Sequence, residues 1–174
     1  MSRMDEIRNR VKWWQYDRFG MFIHWGIYSI PACGEWVMSE KEMTVEEYKK
    51  YFDLFDPVDY DPKKWVRAAK RAGMKYIVLT VKHHDGFCLW PSEYSPRWNS
   101  YEIGSNRDLA GELTQAVRDN GLHMGFYYSL LEWNHPLYKK ETIDTWVDQH
   151  MIPQMKELVT KYKPEIIFSD GEWD

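Results

Sequence analysis

The stretch MKYIVLTVKHHDGFCLW, residues 74–90, is the part of this sequence that decides the fold prediction. Residues 74–82 form a nearly continuous apolar run with several β-branched side chains, which is typical of a strand buried on both faces of a parallel sheet. The run ends at His83, His84 and Asp85. Parallel α/β folds build their sites at the carboxyl ends of strands, so these side chains indicate either a site or a capped loop without a function.

Strand and helix patterns alternate on both sides of this stretch. Asp61 is placed as an N-cap, Pro62 at the first helical position and Gly73 as a stop, which together indicate a helix before the strand. The predicted strands are 19–25, 74–82, 122–129 and 164–171, and the predicted helices are 44–55, 61–73, 107–121 and 141–163, the last with a candidate kink at Pro153.

Four strands joined by helices imply a parallel sheet with right-handed crossovers, and two architectures fit. One is an open doubly wound sheet and the other is part of a (β/α)8 barrel. The first predicted strand is followed by HWGIYSIPACGEW (24–36), which lacks the Gly-rich turn of dinucleotide-binding folds. The length of 174 residues suits one domain, and no linker, repeat or low-complexity segment divides it.

Composition argues against several classes of protein. The net charge is −4 without a basic face, which argues against nucleic-acid binding, and no apolar stretch is long enough to span a membrane. The charged residues 1–14 lack the apolar core of a signal peptide, so we expect a cytoplasmic protein as the sequence is written, although a removed leader would leave the same pattern. Cys33 and Cys88 form neither a disulfide framework nor a zinc motif.

Aromatic residues are unusually frequent, at 17% of the chain with 10 Trp. Five of the Trp stand beside polar residues in predicted loops: Trp36, Trp90, Trp98, Trp133 and Trp173. Sugar rings have apolar C–H faces and polar edges, which suit a flat aromatic surface next to hydrogen-bonding groups. The alternative for any single Trp is that it caps the core.

Polar or reactive side chains stand at the end of every predicted strand. They are His24 on the first, His83 and His84 on the second, Tyr127, Tyr128 and Ser129 on the third and Asp170 on the fourth. The carboxyl ends of parallel strands meet at one edge of a sheet, so this coincidence predicts a shared pocket.

Two kinds of chemistry fit that pocket. His24, one of the two adjacent histidines and Asp170 could hold a metal ion, although neighbouring residues of a strand point to opposite faces. Glycoside hydrolysis requires two carboxylates, and Asp170 at the end of an apolar strand is the best candidate nucleophile. Asp170-Gly171 is also a common turn pair. No G-x-S-x-G motif indicates a serine nucleophile, and Cys88 has the pattern of a small buried hydrophobe.

Six segments together resemble the N-terminal part of glycoside hydrolase family 29, the α-L-fucosidases. The segments are FGMFIHWGIYSIP (19–31), EWVMSE (35–40), KHHDGFCLW (82–90), RDLAGEL (107–113), GFYYSLLEW (125–133) and FSDGEWD (168–174). Their order and spacing match from about residue 12 to residue 174. The resemblance implies a (β/α)8-like barrel that removes terminal α-L-fucose with retention through a covalent fucosyl-enzyme intermediate, without a metal or an organic cofactor.

The resemblance also implies a role for individual residues. Asp170 matches the nucleophile, and Phe168 stands where some members carry a stacking Trp. Contacts to the fucose ring are expected from His24, Glu35, Trp36, His83, His84 and Tyr127.

In the family, the acid/base Glu, the second half of the barrel and a β-sandwich domain lie beyond the fourth strand. We therefore expect residues 1–174 to form a single truncated half-barrel that self-associates through exposed sheet edges. Glu35 is the first candidate for a substitute acid and Glu172 the second. The expected function is a truncated α-L-fucosidase with reduced activity on a fucosylated substrate, and the alternative is a non-catalytic fucose-binding remnant.

Overall fold

The computed structural model describes residues 2–103 and 105–171, which form one parallel four-stranded sheet flanked by helices. The strands lie in the order in which they occur in the sequence. They are β1 (Gly20–Ile23), β2 (Tyr76–Lys82), β3 (His123–Ser129) and β4 (Ile166–Asp170). Each predicted strand is present, shortened by one or two residues at its ends. The predicted α/β class with four parallel strands is confirmed.

Eight α-helices lie in the described part of the chain. They are α1 (Arg3–Tyr16), α2 (Val37–Glu40), α3 (Val45–Tyr48), α4 (Lys50–Asp53), α5 (Pro62–Arg71), α6 (Leu109–Asp119), α7 (Ile143–Trp146) and α8 (Ile152–Tyr162). α5 begins as predicted, because the Asp61 carboxylate accepts a hydrogen bond from Lys64 N–H at 2.9 Å. The predicted helix 44–55 is divided into α3 and α4.

Two helical features differ from the sequence prediction. α1 was not predicted, although Ser2 and Asp5 form a reciprocal capping box at its start. Pro153 is the second residue of α8, which continues directly from a preceding helical segment. The irregularity expected at Pro153 takes the form of the π-helical turn Val147–Met151, which ends just before this proline and joins α7 to α8.

The core lies between the sheet and the helices that cover its outer face. The outward side chains of the two central strands are fully buried there: Ile77, Leu79, Val81, Met124 and Phe126. Buried side chains of α5, α6 and α8 complete the same cluster. None of the described helices is long and apolar enough to cross a membrane.

The inner face of the sheet is concave and only partly covered. Phe22 of β1 and Phe168 of β4 belong to the two outermost strands, yet their rings lie 5.5 Å apart between centroids. In a flat sheet, two strands would separate them at about 4.8 Å per step. The sheet is therefore strongly curled, as in part of a barrel, and 46% of Phe22 and 52% of Phe168 remain exposed.

Candidate functional site at the carboxyl ends of the strands

Asp170 is held by hydrogen bonds at the end of β4. The Tyr127 hydroxyl donates to Asp170 Oδ2, and Gly171 N–H donates to Oδ1 at 2.9 Å. Leu130 N–H donates to the Asp170 carbonyl at 2.7 Å, which ties the loop after β3 to the same residue. Burial, together with the hydrogen bond and charge of Asp170, raises the pKa of Tyr127, so its hydroxyl stays protonated. The predicted nucleophile is thus a fixed carboxylate beside a protonated donor.

Gly171 is required where the chain leaves this carboxylate. Its φ is +84°, and an added Cβ would lie 2.5 Å from the Leu131 Cβ. Asp170 and Gly171 therefore form a tight turn, as the sequence of the pair indicated. The Asp170 carboxylate nevertheless lies in the predicted pocket.

His24 and His83 lie on the other side of Tyr127. The ring of His83 is 5.0 Å from that of His24 and 5.8 Å from that of Tyr127, measured between centroids. Burial lowers the pKa of His83 to about 2, and the neighbouring His84 and His24 add to this effect. His24 Nδ1 lies 2.8 Å from the Tyr28 hydroxyl, and burial lowers its pKa against the opposing charges of Glu35 and Asp170. Both imidazoles are therefore neutral at pH 7 and able to contact hydroxyl groups.

His84 is oriented by Ser129. The Ser129 hydroxyl donates its single proton to the Leu131 carbonyl at 2.6 Å, and the same oxygen lies 2.6 Å from His84 Nδ1. His84 Nδ1 must therefore carry the proton that it donates to Ser129, which fixes the orientation of the ring.

The two adjacent histidines lie on the same side of the chain, which corrects the expectation of opposite faces. β2 ends at Lys82 with a shift in its register against β3, and the centroids of the His83 and His84 rings are 4.1 Å apart. Among residues 2–103 and 105–171, no three His, Cys, Asp or Glu side chains are arranged to hold a metal ion. The set of His24, one of the adjacent histidines and Asp170 considered from the sequence is thus not assembled.

Two indole rings form a wall beside His84. The centroid of Trp36 lies 5.1 Å from that of His84, that of Trp133 lies 5.2 Å from it, and the two Trp rings are 5.2 Å apart. The backbone N–H of Trp133 also donates to the His84 carbonyl at 2.8 Å. Trp36 was predicted to contact the sugar. Trp133 was predicted only to lie in a loop beside polar residues, without a role at the site.

Glu35 and Phe168 also belong to the site region. The half-buried Glu35 acts electrostatically on Tyr127 and His24: its charge adds to the raised pKa of Tyr127 and partly offsets the lowering of the pKa of His24 by burial. Phe168 stacks on Tyr127 at 6.0 Å between centroids with an interplanar angle of 18°. Tyr128 points to the helix side instead, where its hydroxyl donates to Gln154 Oε1 at 2.7 Å. Glu172 lies outside the described residues.

Asp85 and Gly86 shape the turn behind the histidines. Tyr48 O–H and Phe87 N–H each donate to the Asp85 carboxylate at 2.9 Å, and burial raises the pKa of Asp85 to about 6. Gly86 has a φ of +75°, and an added Cβ would lie 2.8 Å from Glu132 Oε1.

A buried ion pair, not foreseen from the sequence, supports the site from the helix side. Lys82 Nζ and Glu132 Oε2 are 2.7 Å apart, and both residues are buried. Burial opposes both charges, but each charge stabilises the other, so the pKa of Lys82 is raised and that of Glu132 is lowered. Lys82 precedes His83 and Glu132 precedes Trp133, so the pair joins the two loops that carry these site residues.

A concave parallel sheet with a fixed carboxylate, neutral imidazoles and indole rings at the carboxyl ends of its strands is typical of barrel enzymes that act on carbohydrates. The chain belongs to the alpha-L-fucosidase family, whose family model matches residues 2–174. This bears out the resemblance to glycoside hydrolase family 29.

Relatives and solved structures agree with this assignment. Tissue alpha-L-fucosidase of Rattus norvegicus is 41% identical over an alignment of 184 positions, which covers 94% of this chain and 40% of the rat protein. Alpha-L-fucosidase isoenzyme 1 from Paenibacillus thiaminolyticus is 43% identical with a TM-score of 0.89, covering 95% of this chain and 43% of that one. A GH29 alpha-L-fucosidase from Bacteroides thetaiotaomicron, trapped as a covalent intermediate with 2-fluoro-fucosyl fluoride, is 35% identical with a TM-score of 0.87, covering 95% and 42%. The chain spans about two fifths of the length of these proteins.

Proposed function

We propose that this chain carries the nucleophile and the sugar-binding side of a retaining α-L-fucosidase that removes terminal α-L-fucose. Asp170 attacks the anomeric carbon, and the bond to the leaving oxygen breaks as the covalent fucosyl ester forms. The observation that carries the proposal is the hydrogen bond from Tyr127 to Asp170 at the meeting point of four strand ends. The Bacteroides relative, trapped as a covalent intermediate, supports the same chemistry.

The neighbouring side chains suit the fucose ring. His24, His83 and His84 are imidazoles that can donate to or accept from hydroxyl groups. Trp36 offers an aromatic face, and Phe168 is a candidate contact for the apolar side of the sugar. No cofactor is required for the proposed reaction, since the nucleophile and the binding groups are all side chains.

Glu35 is the proposed proton donor to the leaving oxygen within this chain. Its support is its position, because its charge acts on His24 and on Tyr127 and thus reaches the pocket that holds Asp170. A donor that is not optimally placed would leave activity reduced on natural glycosides, whose leaving groups need protonation. Aryl fucosides with acidic leaving groups depend less on that proton.

The direct test is nitrophenol release from p-nitrophenyl α-L-fucoside by the purified chain. We expect release by the wild type, loss in Asp170→Gly, and restoration of release in that variant by azide, a small external nucleophile. Tyr127→Phe removes one hydrogen bond to a charged group and should lower kcat about 10- to 100-fold. Release that persists unchanged in Asp170→Gly would contradict the assignment of the nucleophile.

A fucose-binding protein without turnover is the second candidate. It is favoured by one feature: the binding side chains are assembled, whereas Glu35 is the single proposed acid among the described residues. Saturable binding of L-fucose without nitrophenol release, with and without azide, would support this alternative.

We also propose that the chain self-associates through the exposed edges of the sheet. No further strand within the described residues pairs with the outer edges of β1 and β4, so backbone groups along these edges can pair with a second copy of the chain. Multi-angle light scattering at micromolar concentration should give a mass above that of one chain. A folded monomer would contradict this part of the proposal.

A further inference from the structure

Tyr28 is a buried side chain beside the proposed fucose site, four residues after His24. It lies in a short 3-10 turn, Ile27–Ser29, that follows β1. Gly26 leaves the space for its ring, because an added Cβ at that position would lie 2.7 Å from Tyr28 Cε1. The Tyr28 side chain is 5% exposed, so its hydroxyl must find a hydrogen-bond partner within the protein. That partner is His24, whose Nδ1 lies 2.8 Å from the hydroxyl oxygen.

The chemistry of the two groups decides which of them donates. Burial raises the pKa of Tyr28, and the charge of Asp85 adds to this effect, so the hydroxyl keeps its proton. Burial lowers the pKa of His24, so its neutral ring has one N–H and one basic nitrogen. An imidazole nitrogen is a base with an ordinary pKa of about 6.5, whereas a neutral phenol oxygen has hardly any basicity. The hydrogen bond therefore runs from the Tyr28 hydroxyl to His24 Nδ1.

Thr80 is the other polar side chain beside the Tyr28 hydroxyl. Its own hydroxyl donates to the Ile23 carbonyl at 3.2 Å, at the end of β1. As an acceptor, the Thr80 oxygen is a much weaker base than an imidazole nitrogen, so the tyrosine proton goes to His24.

This direction places the single proton of the neutral His24 ring on Nε2. Within residues 2–103 and 105–171, no hydrogen-bond partner of His24 Nε2 is found, and the side chain is exposed. The Nε2–H bond points away from Tyr28 and is free to donate to an oxygen atom of a bound sugar.

A donor at this position suits a sugar hydroxyl that also meets a carboxylate. The charge of Asp170 acts on the His24 ring, so the two residues border the same pocket. A sugar hydroxyl has a single proton, and once it gives this proton to a carboxylate it can only accept from its other neighbours. A His24 ring with its proton on Nε2 supplies that donor, whereas the other tautomer would present a second acceptor.

His84 has the opposite arrangement at Nδ1. Its Nδ1 donates to the Ser129 oxygen, because the Ser129 proton goes to the Leu131 carbonyl. The partners of both imidazoles are hydroxyl groups, yet one donates to Nδ1 and the other accepts from it. The hydroxyl partner therefore decides whether Nδ1 carries a proton in each ring.

We propose that Tyr28 is a positioning residue of the fucose site, which keeps the proton of His24 on Nε2 so that this atom donates to a hydroxyl group of the bound sugar. The proposal deepens the proposed function and rests on it for the identity of the sugar. Tyr28 is buried and acts through His24.

The test reads the position of the His24 proton directly, by long-range 1H–15N NMR of the 15N-histidine-labelled chain at pH 7. The protonated and the unprotonated nitrogen of a neutral imidazole resonate far apart, and the His24 signals are those that disappear in His24→Gln. We expect the proton on Nε2 in the wild type and a mixture of both tautomers in Tyr28→Phe. The Nδ1 signal of His84 should remain that of a protonated nitrogen in both proteins.

Two spectra would overturn the proposal. One is a wild-type His24 ring with its proton on Nδ1, and this result is decisive even if Tyr28→Phe does not fold. The other is a His24 spectrum that is the same in the wild type and in Tyr28→Phe.

The matched control is Tyr60→Phe, which removes another buried hydroxyl, one that donates to the Leu109 carbonyl at 2.7 Å. Both variants lose a buried hydrogen bond, so both should lose stability, but Tyr60→Phe should leave the His24 signals unchanged. In a titration with L-fucose, Tyr28→Phe should weaken the affinity about three- to tenfold and Tyr60→Phe should not. Equal affinities of the two variants would overturn the positioning role.

The His24 tautomer is measured in the free chain, which keeps this proposal apart from the fucosidase. A wild type that neither binds L-fucose nor releases nitrophenol contradicts the proposed function. The His24 spectrum still shows in that case whether Tyr28 sets the position of the proton.

Discussion

The two central strands and the two edge strands of the sheet contribute to the site from different surroundings. In β2 and β3 nearly every side chain is buried, whereas in β4 three of five residues are exposed. The buried histidines follow β2, but Asp170 ends the exposed β4. His83 and His84 are therefore fixed by the core, whereas the nucleophile depends on local hydrogen bonds from Tyr127, Gly171 and the loop after β3.

The largest expected effect is on the unfolding free energy, when a phenylalanine of a central strand is compared with one of an edge strand. Phe126 of β3 is fully buried and Phe168 of β4 is 52% exposed. Phe126→Ala should cost about 3–5 kcal/mol of unfolding free energy, whereas Phe168→Ala should cost less than about 0.5 kcal/mol. Urea unfolding measures both, and Phe126→Leu keeps the measurement possible if the alanine variant does not fold.

A large loss of stability in Phe168→Ala would contradict the difference between central and edge strands. If Phe168→Ala destabilises the protein as much as Phe126→Ala, the exposed face of β4 is covered in solution. The loss should then grow with protein concentration, because a partner chain that covers β4 binds only the folded state.

The next effect comes from the ion pair behind the central strands. Glu132→Gln leaves the buried Lys82 without a charge partner and should cost about 3–5 kcal/mol. The matched control is Glu112→Gln, which breaks the pair with Arg107 at 2.6 Å, where both side chains are about one third exposed. A surface pair of this kind contributes about 0–1 kcal/mol. Equal losses in urea unfolding would show that Lys82 is reached by water.

Much of the site could be predicted from the sequence, because each strand carries a local signal. Continuous apolar runs locate β2 and β3, and the polar residues at the strand ends locate His24, Tyr127 and Asp170. The resemblance to a known family then supplied roles for Glu35 and Trp36, which no periodicity indicates.

Long-range packing could not be predicted from the sequence. Lys82 ends the predicted strand 74–82, and no local pattern indicates its partner, Glu132, which lies 50 residues later. The register shift at the end of β2, which brings His83 and His84 to the same side, has no composition signal either. Trp133 is oriented by its backbone contact with His84, which depends on two loops being adjacent.

The smallest expected effect is a difference in how the unfolding free energy depends on pH when a histidine after a central strand or after an edge strand is replaced. The pKa of His83 is lowered to about 2 from an ordinary value near 6.5, so between these values the unfolded chain binds a proton at this residue and the folded chain does not. His83 should therefore make stability fall as the pH is lowered from about 6.5, by at most about 1.4 kcal/mol per pH unit. Asp85 works in the opposite direction, because its pKa is raised to about 6 and the folded state is the one that takes up its proton first.

Urea unfolding of the wild type and His83→Gln at pH 7 and pH 5 isolates the histidine, since Asp85 is present in both. The difference in stability between the two pH values should be smaller in His83→Gln by about 2 kcal/mol. His24→Gln, directly after the edge strand β1, is the matched control and should change this difference much less. If the unfolding free energies of the two variants depend equally on pH, the histidines after the central strand and the edge strand do not differ in how far folding lowers their pKa.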